Sequence, residues 1–266
     1  MKNSISNQNL FLVLLSFLAI GITGGCIHID QHSGLQDLNI GESIAFGGGT
    51  VKSYIAYTDS GEPRELAVVL SETAMNNLPA DFTSVSIPLP TNTQTPYTHI
   101  GFDWLPSGHE PSGVYDTAHF DIHFYMIPEA ERLLIEADDS IQFQNFPPQG
   151  SLPSYYFSDG IGVPQMGTHW VNLLSPESSG QAFTQTLVYG TYDGKVIFHE
   201  PMITKDFWAN ISRHDNAPGA SDKFSIPQPS IYPVVPAYYP TAYKIIHNEV
   251  HGTYSIIMTD FKYVKN

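Results

Sequence analysis

An antiparallel β-sandwich or barrel carrying one or two short helices is the fold class that this sequence predicts. Short runs with apolar–polar alternation recur along most of the chain, separated by turns rich in Gly, Pro, Asn and Asp. Phe and Tyr, residues that favour pleated surfaces, number 15 each. The 266 residues suit one large all-β domain or two smaller ones.

From Thr50 the period is two: VKSYIAYTD, the turn Ser60-Gly61-Glu62-Pro63 and RELAVVLS predict a hairpin. Ser71 is placed to cap a short helix that begins Glu72-Thr73-Ala74 and that Leu78-Pro79 stops. Further strands are expected at 83–89, 97–104, 116–127, 165–172, 183–192, 195–203, 242–249 and 253–263. Among them, Pro128-Glu129-Ala130-Glu131 predicts a helix with proline at its first position and acids where the helix dipole favours them, continued by RLLIEAD. A second short helix is expected over 204–211. Tyr192-Asp193-Gly194-Lys195 is an Asp-Gly two-residue turn, and an unbroken ladder from it sets Gly190 opposite Ile197 and Tyr189 opposite Phe198. The proline-rich segments 146–153 and 227–240 read as extended loops, the second setting off 227–266 as a candidate C-terminal subdomain.

The N-terminus has its own logic. Residues 1–9 are polar and carry Lys2, and residues 10–22 are an apolar run of 13, too short for a ~30 Å hydrocarbon core but suited to a signal peptide. The run ends in Thr23-Gly24-Gly25-Cys26, the small-residue pattern of a bacterial lipobox, in which the cysteine becomes lipidated. The expected division is a lipoprotein signal peptide over 1–25, a flexible tether over 26–49 and a β-rich domain over 50–266. Cleavage by the ordinary peptidase, giving a soluble secreted or periplasmic protein, is the alternative. A membrane is then a partner only through the lipid anchor.

Composition excludes several functions. Lys+Arg number 11 against 26 Asp+Glu, a net charge of −15, so nothing tracks a nucleic-acid backbone. A single cysteine rules out a disulfide framework and thiolate metal clusters. Gly47-Gly48-Gly49 lacks the Lys-Ser/Thr of a phosphate loop, and neither G-x-S-x-G nor H-E-x-x-H occurs.

The most informative segment is Ala118-His119-Phe120-Asp121-Ile122-His123-Phe124-Tyr125-Met126. Strand alternation puts Phe120, Ile122, Phe124 and Met126 on a core face and His119, Asp121, His123 and Tyr125 on the other. At ~3.3 Å per residue, His119 and His123 stand about 13 Å apart, too far to share one ion along a straight strand, whereas next-but-one neighbours at about 6.6 Å can converge. Two of the three are therefore expected as ligands and the third as the residue that orients them. His169 lies mid-strand beside Trp170, and Glu200 is an acid in an apolar strand, costly unless paired or metal-bound. His109 and Glu110 sit in a loop that could close over the site. His119, Asp121, His123, His169 and Glu200 thus form a candidate set for Zn, Mn, Fe or Ni; a structural hydrogen-bonded network or ion-free pocket is the other reading. His28, His32, His214, His247 and His251 are assigned to loops, tails and surface.

The blocks GGGTVKSYIAYTDSGEPRELAVVLSETAMNNLP, GFDWLPSGHEPSGVYDTAHFDIHFYMI, VPQMGTHWVN, TLVYGTYDGKVIFHEPMIT and YKIIHNEVHGTYSIIMTDF resemble a family of bacterial exported proteins, a domain of unknown function typified by a Thermus protein under sigma-E/anti-sigma-E control. The resemblance implies a β-rich fold, export, an envelope-stress setting and a closed homo-oligomer, and it implies no activity. His109, Glu110, His119, Asp121, His123, His169 and Glu200 fall in the matching blocks. His199 and Ala118 depart from the pattern, which tends to an aliphatic residue and proline there. Two functions follow as expectations: an exported, lipid-anchored protein with a His/Asp/Glu metal or polar pocket, or a non-catalytic oligomeric structural or ligand-binding protein of the envelope.

Overall fold

The computed structural model describes residues 37–211 and 223–265. The signal-peptide and Cys26 readings, the first part of the tether, His28, His32 and His214 lie outside these described residues.

Two antiparallel sheets form a sandwich. One has six strands, in the order β1 (Asp37–Phe46), β2 (Gly49–Tyr57), β3 (Pro63–Ser71), β14 (Thr253–Val264), β13 (Ala237–Asn248) and β12 (Lys223–Ser225). The other runs β4 (Thr83–Pro88), β5 (His99–Leu105), β6 (His119–Tyr125), β11 (Lys195–Thr204), β10 (Gln185–Tyr192), β9 (Gly167–Asn172) and β7 (Tyr156–Phe157), with β8 (Gly162–Val163) also on β9. Among the described residues, the helices are α1 (Glu72–Asn76), α2 (Glu129–Arg132), α3 (Ser140–Gln144), α4 (Lys205–Asn210) and a 3-10 turn at Glu177–Ser179. None is long and apolar enough to cross a membrane.

The main core lies between the sheets. Val51, Ile55, Leu66, Val68, Ile245 and Ile256 from the first sheet meet Ile100, Phe102, Phe120, Ile122, Phe124 and Ile203 from the second. Burying each such side chain is worth ~1.5–3 kcal/mol. Phe120, Ile122 and Phe124, all fully buried, therefore fix β6 firmly enough to hold a costly polar row on its opposite face. That face carries a second, smaller core of Tyr115, Tyr125, Ile135, Phe143, Phe183, Val188, Ile197, Phe198 and Met202.

Local signals act as expected where the chemistry is local. Ser71 caps α1 by accepting from the Ala74 N–H, and Thr204 caps α4 by accepting from the Phe207 N–H. Several expectations need correction. Residues 37–49 are not tether: β1 pairs with β2 from Asp37↔Tyr57 to Phe46↔Gly49, since an extended segment beside an open strand edge satisfies its backbone by joining it. Nor is 227–266 a separate subdomain, because β14 pairs with β3 along Thr253↔Ser71 to Thr259↔Glu65 and completes the first sheet. α2 stops at Arg132 with Pro128 as its cap; it buries no side chain, and a short helix without a packed face does not propagate. The β10–β11 ladder shifts between Gly190 and Thr191, so Gly190 faces Phe198 and Tyr189 faces His199, one residue away from the unbroken register. This bulge moves Val196 into the intersheet core while Phe198 stays on the polar side with Glu200. His247 is buried rather than superficial, its ring stacked on Tyr254 at 3.9 Å.

Candidate functional site

The polar row of β6 stands on the outer face of the second sheet, and neighbouring strands add to it. Asp103 of β5 is the direct partner of Asp121. The register that pairs Phe198 with Tyr125 and Met202 with Asp121 puts Glu200 of β11 level with His123. His169 of β9 pairs with Gly190 of β10, one strand beyond β11. Asp103, His109, Asp121, His169 and Glu200 all line a cavity of about 580 Å³. Its remaining wall is mainly apolar, with Tyr115, Phe157, Ile161, Met166 and Val188 among the contributors, and no Lys or Arg lines it among the described residues.

The structure divides the predicted residues into two sets of two histidines and one carboxylate each: His123, His169 and Glu200, and His109, His119 and Asp121. Within each set, one ligand-type atom from every residue lies within 4.8 Å of the others. The expectation of a single set, with one β6 residue serving only to orient the others, is therefore corrected. His119 and Asp121 join one set, and His123 joins the other because its side chain meets Glu200 on the next strand. The role expected of His109 changes too. It does not close over the site from outside but contributes its Nε2, 3.3 Å from Asp121 Oδ2. Glu110 stays with its own loop, where its carboxylate accepts from the Ser112 N–H, and belongs to neither set.

In the first set, His123 Nε2 is 3.3 Å from Glu200 Oε1, and His169 Nε2 is 3.5 Å from Glu200 Oε2. His123 Nδ1 is 3.4 Å from Asp103 Oδ2, the arrangement in which a carboxylate orients a ligand histidine. The sequence reading passed over Asp103, although an acid within the apolar run GFDWL carries the same signal as Glu200. Burial dominates the electrostatics. It pushes Asp103 up to about 7 and Glu200 well above its ordinary value, and the Asp121 charge adds to both shifts. It drives His123 down to about 3 and His169 to about 4. For Asp121, burial acts upward but the adjacent His109 and His119 rings outweigh it and hold the carboxyl well below the usual range; His109 is correspondingly raised. Both ring nitrogens of His123, Glu200 Oε2 and Asp103 Oδ1 are buried without a hydrogen-bond partner among the described residues. Buried polar atoms normally find partners, so orphans gathered at one point set this cluster apart.

His199 has a different place. It points into the intersheet core, where its Nδ1 and the Tyr97 hydroxyl are 2.6 Å apart, so it serves packing and takes no part in the site.

Gly190 spaces the first set. A Cβ there would fall 2.0 Å from the Phe198 ring, which packs 4.8 Å from the His123 ring and 5.2 Å from that of His169. Gly190→Ala must displace Phe198 and with it both imidazoles. The expected result is a folded but less stable protein, by ~1–3 kcal/mol, measured by denaturant unfolding. Retention of wild-type stability would contradict this packing. Neither family models nor curated proteins nor solved structures yielded a match to this chain.

Proposed function

We propose that His123, His169 and Glu200 hold a divalent transition metal (Zn, Mn, Fe or Ni) at the floor of the apolar cavity, where it binds and polarises the donor group of a small, largely apolar molecule. One observation carries the reading: Glu200, fully buried in a central strand, turns its two oxygens to two imidazole nitrogens at 3.3 and 3.5 Å, with no cationic side chain in either contact. A carboxylate in that position is costly unless a cation accompanies it. Two histidines and a carboxylate leave coordination positions free, so the metal would act as a Lewis acid or activate water. All three side chains come from strands, which hold ligands more rigidly than loops do. The apolar wall, without Lys or Arg among the described residues, suits an uncharged body, and the metal then supplies positive charge at the floor.

Metal analysis of protein purified without a His-tag or chelator tests this. At least one equivalent of metal is expected, and His123→Ala and Glu200→Ala should each remove it. Absence of stoichiometric metal, together with unchanged melting in the two variants, would overturn the reading in favour of a non-catalytic envelope module.

The N-terminal pattern extends the proposal to an exported, lipid-anchored protein, with Cys26 as the attachment residue. Labelled fatty acid fed to expressing bacteria should enter the wild-type chain and not Cys26→Ser; label retained in the variant would refute the anchor.

A further inference from the structure

The set formed by His109, His119 and Asp121 is not used by that centre, and its proton arrangement is informative. His119 Nδ1 lies 2.6 Å from the Thr117 carbonyl oxygen, and His109 Nδ1 lies 2.5 Å from that of Glu110. A carbonyl only accepts, so each Nδ1 carries the N–H. In a neutral imidazole, Nε2 is then a lone pair, and both lone pairs turn to the two oxygens of Asp121, at 3.1 Å from His119 and 3.3 Å from His109. Three acceptors facing one another repel unless a cation, a proton or a metal ion, lies among them. Imidazole N–H to backbone carbonyl, with the other nitrogen free, is the habit of metal-ligating histidines. The short approach of His119 to Asp121 is not an aligned hydrogen bond: His119 Nε2 and Asp121 Oδ1 both remain buried without a partner among the described residues.

The surrounding chain is shaped to bring His109 to this point. Gly108 has φ +70°, and a Cβ there would fall 2.0 Å from the Tyr115 carbonyl oxygen, so the loop closes at a position only glycine tolerates. The His109 N–H donates to that same Tyr115 carbonyl. Its ring packs 5.6 Å from the Tyr115 ring and edge-on to His119 at 4.8 Å. A histidine serving only as surface would need none of this.

We propose that His109, His119 and Asp121 form a second transition-metal site in the same cavity, beside the site on His123, His169 and Glu200. Asp121 and His123 are next-but-one neighbours on one face of β6, about 6.6 Å apart along an ideal strand, so the two ions would share a pocket floor. Asp103, cross-strand partner of Asp121, faces this floor with Oδ1 unpartnered and Oδ2 beside His123. The second site differs from the first in construction, since one ligand comes from a loop and the His109 side chain keeps 37% of its exposure. Its metal should exchange faster. The proposal stands on its own residues and does not require the first site to be filled.

The experiment uses Zn²⁺ alone as the probe, with native mass spectrometry and metal analysis after loading and desalting. Wild type is expected to take two equivalents. His109→Gln, a loop substitution that leaves the sheet untouched, should weaken the second equivalent at least ~10-fold, and His119→Gln should remove it. Glu200→Gln should remove the other equivalent, and the His119/Glu200 double variant should take none. Two tight equivalents retained in both His109→Gln and His119→Gln would overturn the proposal. So would a wild type that never exceeds one equivalent and loses it in Glu200→Gln. A single equivalent lost in His119→Gln but kept in Glu200→Gln would support this site and reject the one proposed on Glu200.

Discussion

Glu200→Gln should make the metal-free protein more stable while abolishing metal binding at the first site. Glu200 is buried in a central strand, and burial pushes its pKa well above the ordinary carboxylate value. The folded state therefore holds a proton there that the unfolded chain releases. With the folded pKa raised, stability from this group is fully present below the unfolded pKa of ~4.3 and is lost as pH rises toward the folded one. Glutamine keeps the shape and removes the ionisation. The expected gain is ~1–3 kcal/mol near neutral pH, and it should grow between pH 5 and pH 8, by no more than ~1.4 kcal/mol per pH unit. Asp103, raised to about 7, adds a trend of the same sign in both proteins. His123 and His169, lowered to about 3 and 4, oppose it, since their stability is present above ~6.5 and is lost as pH falls through those values. Only the difference between wild type and variant isolates Glu200. Denaturant unfolding of both proteins in chelator across this range measures it. A variant less stable than metal-free wild type at pH 8 would mean that Glu200 is a structural hydrogen-bonding group and not a ligand held ready for a cation.

Metal should stabilise wild type by a comparable or larger amount. A ligand bound only by the folded state, present at a thousandfold over its dissociation constant, contributes about 4 kcal/mol, which for a domain of this size is about 8–16 °C in melting temperature. The melting temperature should therefore rise with added Zn²⁺ and fall with chelator. The response should shrink as pH falls, because Glu200, whose carboxyl burial holds well above its ordinary value, then keeps a proton in competition with the metal. His123→Ala should lose the first site's share of this shift and keep only the smaller response due to His109, His119 and Asp121. Calorimetric scans of wild type and variant with and without chelator decide this. Identical wild-type melting under both conditions would remove the basis for any metal centre in this cavity.

Much of the fold is legible in the sequence because its causes are local. The hairpin around Ser60–Pro63, the capping by Ser71 and Thr204, and the two faces of 119–126 follow from turn chemistry, caps and period-two alternation. The stretch 37–46 reads as a tether because β1 is a strand only through its partner β2, although Leu38, Ile40, Ile44 and Phe46 stand among its polar residues. The one-residue shift at Gly190 is similarly invisible, since a bulge is chosen by how Phe198 and Val196 pack on opposite faces of the sheet.

The candidate site divides along the same line. Residue types and spacing alone single out His119, Asp121, His123, His169 and Glu200, and the ~3.3 Å rise of a strand keeps His119 and His123 too far apart to share one ion on a straight strand. Which residues complete each set is decided by strand order. β11 beside β6 brings Glu200 to His123, β5 on the other flank brings Asp103 to Asp121, and the Gly108 turn carries His109 inward to His119. A sequence specifies what lies on one face of a strand, because alternation is intrinsic to the extended backbone. It does not specify which strand lies alongside, because that is settled by packing among residues far apart in the chain.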